Sequence, residues 1–96
     1  MQYTMVTKYD VFMEVYARTG PRRIIDIVKD LKQSQSEYDR IRKILEALAA
    51  KKLLAKGRHG YEPLKNANNQ HLFDMLSYCV KNSVNYNEIL DATVAA

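Results

Sequence analysis

The sequence predicts a mostly α domain of about five helices with one two-stranded β-hairpin. Three observations carry this. Apolar residues recur at spacings of three and four over residues 8–18, 21–32, 36–52 and 69–81, the period of an amphipathic helix. Leu53-Leu54-Ala55-Lys56 and Tyr61-Glu62-Pro63-Leu64 are short strand-like runs around Gly57-Arg58-His59-Gly60, where two glycines can supply the positive φ a turn needs. Gly20-Pro21 breaks the chain between the first two helical stretches.

Taken in order, Thr7 and Asp10 have the spacing of a capping box that starts a helix over 8–18, with Val11, Phe12, Val15 and Tyr16 as its apolar stripe. The second helix spans about 21–32. Ile24, Ile25, Ile27, Val28 and Leu31 give it a wide apolar face, and Arg22 and Arg23 fall in its first turn. Gln33-Ser34-Gln35-Ser36 is a turn in which Ser34 with Glu37, and Ser36 with Asp39, both fit a capping box. The third helix spans about 36–52. Tyr38, Ile41, Leu45 and Leu48 form its buried stripe, and its other side is polar and basic at the start, then small. Pro63 cannot donate to a ladder, so the return strand is expected to be short and on an edge. Asn66 or Asn68 can cap a fourth helix over 69–81, with Leu72, Phe73, Leu76, Cys79 and Val80 as its stripe. A last short helix is expected around Ile89 and Leu90.

Totals bound the function. Ninety-six residues make one domain overall. The single cysteine rules out an internal disulfide and fits a reducing cytoplasm, the expected location. No apolar run is long enough for a membrane helix, and the N-terminus lacks the order of a signal peptide. The net charge is +4, and residues 38–60 hold seven basic residues against two acidic. Concentrated on one helix and hairpin, that excess is the electrostatic footprint of a phosphate-binding surface, although a solvated helix face also carries such charges. No catalytic constellation is present, so no enzyme activity is expected. Cys79 lies on an apolar stripe, and His71 with Asp74 are too few for a structural metal site. Neither a cofactor, a metal nor a small-molecule ligand is expected.

Helix, short turn, helix and basic-tipped hairpin resembles the winged helix-turn-helix DNA-binding domain family, as found in small prokaryotic-type transcriptional regulators. The run Leu45-Glu46-Ala47-Leu48-Ala49-Ala50-Lys51-Lys52-Leu53-Leu54 is similar to that family's L-x-x-L-x-x-K-G-L-[ILV] passage from helix into wing. The family often carries Gly where this chain has Lys52, which leaves open another route for the helix end. The resemblance covers roughly residues 9–64. It implies a winged helix-turn-helix core over 1–64 and a C-terminal helical extension over 65–96 that packs on the core or forms a dimer. It implies double-stranded DNA as the partner, with the recognition helix, about 36–52, in the major groove and the wing, 53–64, on the backbone or in the minor groove.

The family motif presents the first residues of the recognition helix to base edges. Gln35, Ser36, Arg40 and Lys43 are therefore expected to read bases, since Gln pairs with adenine and Arg or Lys with guanine. Arg22, Arg23, Lys51, Lys56 and Arg58 are expected to hold phosphates, with His59 beside them at the wing tip. A homodimer through the 69–81 helix would place two recognition helices about one DNA turn apart. Glu37 and Asp39 oppose phosphate and suit helix capping. Two other classes of function remain: a winged-helix protein–protein interaction module, compatible with Glu37, Asp39, Ala47 and Ala50, and an accessory domain of a larger protein.

Overall fold

A computed structural model describes residues 6–86. Three helices come first: α1, Lys8–Tyr16; α2, Ile24–Asp30; and α3, Tyr38–Ala50, which a 3-10 turn at Gln35–Glu37 precedes. The antiparallel strands β1, Leu54–Gly57, and β2, Gly60–Pro63, follow, then helix α4, Ala67–Lys81. Three helices, a hairpin and a helix make a mostly α arrangement consistent with a winged-helix-like topology. The fifth helix expected around Ile89 and Leu90 lies outside the described residues. By internal contacts the chain divides into two units, Met1–Leu64 and Lys65–Ala96.

The core of the first unit is built from the expected stripes. Val11, Phe12, Val15 and Tyr16 of α1 are buried, with the Phe12 and Tyr16 rings stacked at 5.1 Å. They meet Ile27 and Val28 of α2, Ile41, Leu45 and Leu48 of α3, and Leu54 and Tyr61 of the hairpin, all buried. Helix α3 packs on α1, α2 and β1, and α1 also reaches β2. Asp10 starts α1 by accepting the Thr7 backbone N–H at 2.9 Å and its hydroxyl at 3.0 Å.

Four local expectations are corrected. First, α2 does not begin at Pro21. Arg22 is extended and exchanges both backbone hydrogen bonds with Tyr61, N–H to O at 2.8 Å and O from N–H at 2.9 Å, so its backbone is unavailable to a helix. Arg22 thus adds a third, one-residue rung beside β2, and β2 is flanked on both sides at Tyr61 rather than lying on an edge. Second, neither serine capping box forms. Ser34 and Ser36 bond each other through their hydroxyls at 2.6 Å, and the 3-10 turn delays α3 to Tyr38. Third, Lys52 takes the route that glycine takes in the family pattern. Its φ is 62°, and Leu53 N–H closes back on Leu48 O at 2.9 Å. Fourth, Tyr38 is not core: it is 37% exposed.

In the second unit Asn66 caps α4 by accepting the Asn69 N–H at 2.8 Å. Leu76 and Cys79 are buried and Leu72 and Phe73 half-buried, whereas Val80 is 57% exposed and so leaves the expected stripe. Among the described residues no helix is long and apolar enough to cross a membrane.

Candidate nucleic-acid interface

A groove of about 510 Å³ runs between α3 and the hairpin, in the first unit. Arg23 and Ile24, the N-cap and first residue of α2, line it as well. The hairpin contributes Lys56, Arg58, His59 and Tyr61. Helix α3 contributes Tyr38, Arg42 and Glu46. Successive i, i+4 spacing puts these last three on one helix face, and that face looks at the hairpin.

Geometry assigns different duties to the expected site residues. Arg23, Lys56, Arg58 and His59 come together in the groove. Arg23 is exposed and, among the described residues, pairs only with its neighbour Asp26, Nε to Oδ2 3.1 Å. Lys56 Nζ lies 5.8 Å from the centroid of the Tyr61 ring. Arg58 and Lys51 are exposed with no ion pair among the described residues. The hairpin tip is a two-residue loop, Arg58-His59, closed by the Gly57–Gly60 pair. Of the two glycines only Gly60 has a positive φ, 127°, and a Cβ there would stand 2.2 Å from the Arg22 carbonyl oxygen. The close approach of Arg22 to the hairpin therefore requires glycine at this position.

Arg22 and Arg40 point elsewhere. The Arg22 side chain is 11% exposed. It donates to the Glu14 carbonyl at 3.0 Å, lies 3.6 Å from the Glu14 carboxylate and pairs with Asp30. Burial, and then the charge of Arg18, pull its guanidinium below the ordinary value, with Glu14 and Asp26 acting the other way. It ties the C-terminal end of α1 to α2 and β2 and is not presented to a ligand. Arg40 is held by Glu37, Nε to Oε1 2.8 Å, and by the Val6 carbonyl, Nη1 to O 2.8 Å. Its Nη2 is buried with no partner among the described residues.

Gln35, Ser36 and Lys43 are exposed. Lys43 Nζ is 3.6 Å from Asp39. Glu37 and Asp39, expected as caps, act chiefly as partners of cations.

Arg42 is the groove residue that the spacing analysis passes over. Asp39 Oδ1 accepts from its Nη2 at 2.6 Å and its Nε at 3.1 Å, and Glu46 Oε2 accepts from its Nη1 at 2.9 Å. These hydrogen bonds, Asp39 first, raise the guanidinium above its ordinary value. The same bond, and then the charge behind it, hold the Asp39 carboxyl below its ordinary 3.8. The run Tyr38, Arg42, Glu46 at i+4 steps is hidden in the sequence because Tyr38 reads there as part of the core stripe; its 37% exposure makes the run a separate face of α3.

Among the described residues no group of three or more His, Cys, Asp or Glu side chains is placed to hold a metal. Comparison with family models, with curated proteins and with solved structures finds no match to the chain.

Proposed function

We propose that the chain binds double-stranded DNA as a small winged helix-turn-helix protein of the transcription-regulator type. The observation that carries the reading is the convergence of Arg23, Arg42, Lys56 and Arg58, with His59, on one groove between α3 and the hairpin. A backbone strand of DNA seated there meets cations from three separate elements, and clustered cations are what phosphate contacts require. The exposed 3-10 turn, with Gln35 and Ser36, and Lys43 of α3 then face the bases. Arg22 and Arg40 drop out of the contact set, since their guanidinium groups are consumed inside the fold.

Binding of mixed-sequence duplex DNA at low salt tests this, with an Arg23→Ala/Arg58→Ala variant alongside. Affinity should fall with added salt, and the variant should bind more weakly by about tenfold under the same conditions. Absence of wild-type binding even at low salt would remove DNA as the primary ligand.

One observation favours a second reading. The outward face of α3 presents Asp39, Lys43, Ala47 and Ala50, one acid against one base and two small residues. That composition suits a protein partner, so a winged-helix interaction module or an accessory domain of a larger protein is the alternative. Pairing of two copies belongs to the DNA reading. Met75 and Tyr78, exposed one turn apart on α4, are the side chains we assign to such a homodimer contact.

A further inference from the structure

The groove holds more chemistry than a row of phosphates uses. Phosphates need cations, and Arg23, Lys56 and Arg58 supply them. The wall also carries Tyr38, 37% exposed, and the apolar Ile24. Glu46 adds a carboxylate, which repels a bare phosphate but accepts hydrogen bonds from hydroxyl or amino groups. With Arg42 already held by Asp39 and Glu46, the remaining cations Arg23, Lys56 and Arg58 call for an anionic occupant. An aromatic wall calls for a flat ring on it. The volume of about 510 Å³ falls within the range of small-molecule sites and exceeds what inorganic phosphate would fill.

We infer that this groove is a seat for a nucleoside phosphate, with the base against Tyr38, the phosphates on Arg58, Lys56 and Arg23, and Glu46 accepting from the sugar or the base. Arg42, held by Asp39 and Glu46, is a fixed cation on the same α3 face as Tyr38. This goes beyond duplex binding and does not depend on it. Where duplex DNA also binds, nucleotide and backbone share the groove and compete. The nucleoside phosphate can be a free nucleotide or one unit of a single strand.

Calorimetric titration of the full chain with ADP, pyrophosphate, adenosine and a short mixed-sequence single strand tests the assignment. ADP should bind about tenfold more tightly than pyrophosphate, the scale of one base stacked on an aromatic side chain. Adenosine should bind more weakly than ADP. Tyr38→Ala should abolish the advantage of ADP while leaving pyrophosphate binding unchanged, Tyr38→Phe should keep it, and Arg58→Ala should weaken both anions. Circular dichroism confirms that each variant is folded, and the pyrophosphate arm reports an intact groove. A single strand that matches ADP and shares its dependence on Tyr38 assigns the seat to strand nucleotides; one that binds worse assigns it to free nucleotide. Either supports the class of ligand. ADP no tighter than pyrophosphate, or no effect of Tyr38→Ala, overturns the proposal and leaves a plain phosphate surface. Duplex binding without ADP binding sinks the nucleotide seat alone. ADP binding without duplex binding sinks the DNA reading alone.

Discussion

Of the two hairpin glycines, Gly60 is the one that cannot take a side chain. Its φ of 127° and the Arg22 carbonyl, 2.2 Å from where a Cβ would stand, exclude a side chain on two counts. Gly60→Ala is expected to lower unfolding stability by about 2 kcal/mol or more, read from urea denaturation. The opposite holds at Lys32, whose φ is 58° in an exposed helix end. Lys32→Gly is expected to raise stability by roughly 0.5 kcal/mol, the left-handed strain relieved less the entropy glycine gives the unfolded chain. Asp39 supplies the pH test. Its folded value lies below the ordinary 3.8, first through its hydrogen bond to Arg42 and then through that residue's charge. A depressed carboxyl contributes stability above its unfolded value and loses it as pH falls through the folded one. Carboxyl NMR should therefore place the Asp39 midpoint acid of 3.8 in the wild type and return it towards 3.8 in Arg42→Gln. An unmoved midpoint would mean the pair does not persist in solution.

Helix starts and side-chain partners, more than helix ends, account for what the sequence leaves unread. Three helices close the same way, with a non-glycine residue in the left-handed region. Lys32 follows α2, with Gln33 N–H on Val28 O at 3.1 Å; Lys52 follows α3; Ser83 follows α4, with Val84 N–H on Cys79 O at 2.8 Å. Glycine is the usual sequence signal for that motif and is absent at all three ends, yet the apolar period alone carries the helices to 32, 52 and 81, within two residues of Asp30, Ala50 and Lys81. The buried stripes were legible because a period of three and four is a local property. The start of α2 was not, because it is decided by Tyr61, thirty-nine positions away from Arg22. Side-chain roles divide likewise. Arg40 and Arg42 look alike in sequence, yet one is bound by the Val6 carbonyl and the other lines the groove. Arg22 and Arg23 are adjacent and differ as much. Arg22→Ala is expected to cost about 2 kcal/mol in stability, the loss of charged hydrogen bonds around a nearly buried guanidinium. Arg23→Ala should stay within about 0.5 kcal/mol, since its pair with Asp26 is exposed. Equal effects on stability would refute the separation of their roles.

The charge of the whole molecule sets how strongly it can hold a polyanion. The seven cations of residues 38–60 exceed the number available to a ligand. Arg40 is turned inward, Arg42 carries two carboxylates and Lys43 shares Asp39. Lys51, Lys56 and Arg58 have no ion pair among the described residues, and Arg23 joins them from the start of α2 with only an exposed partner. About four phosphates per chain is therefore the expected contact. Counterion release then gives a slope of log affinity against log salt of roughly −3.6 for one chain on duplex DNA. Two copies acting together on one site double it to roughly −7. Arg58→Ala should reduce the steepness by about 0.9 per chain, whereas Arg40→Ala should leave the slope unchanged while lowering stability. The measurement separates three states of the molecule: a slope near −3.6 means one chain per site, near −7 a pair, and a slope that responds to Arg40 but not to Arg58 means that DNA lies on a face other than the groove.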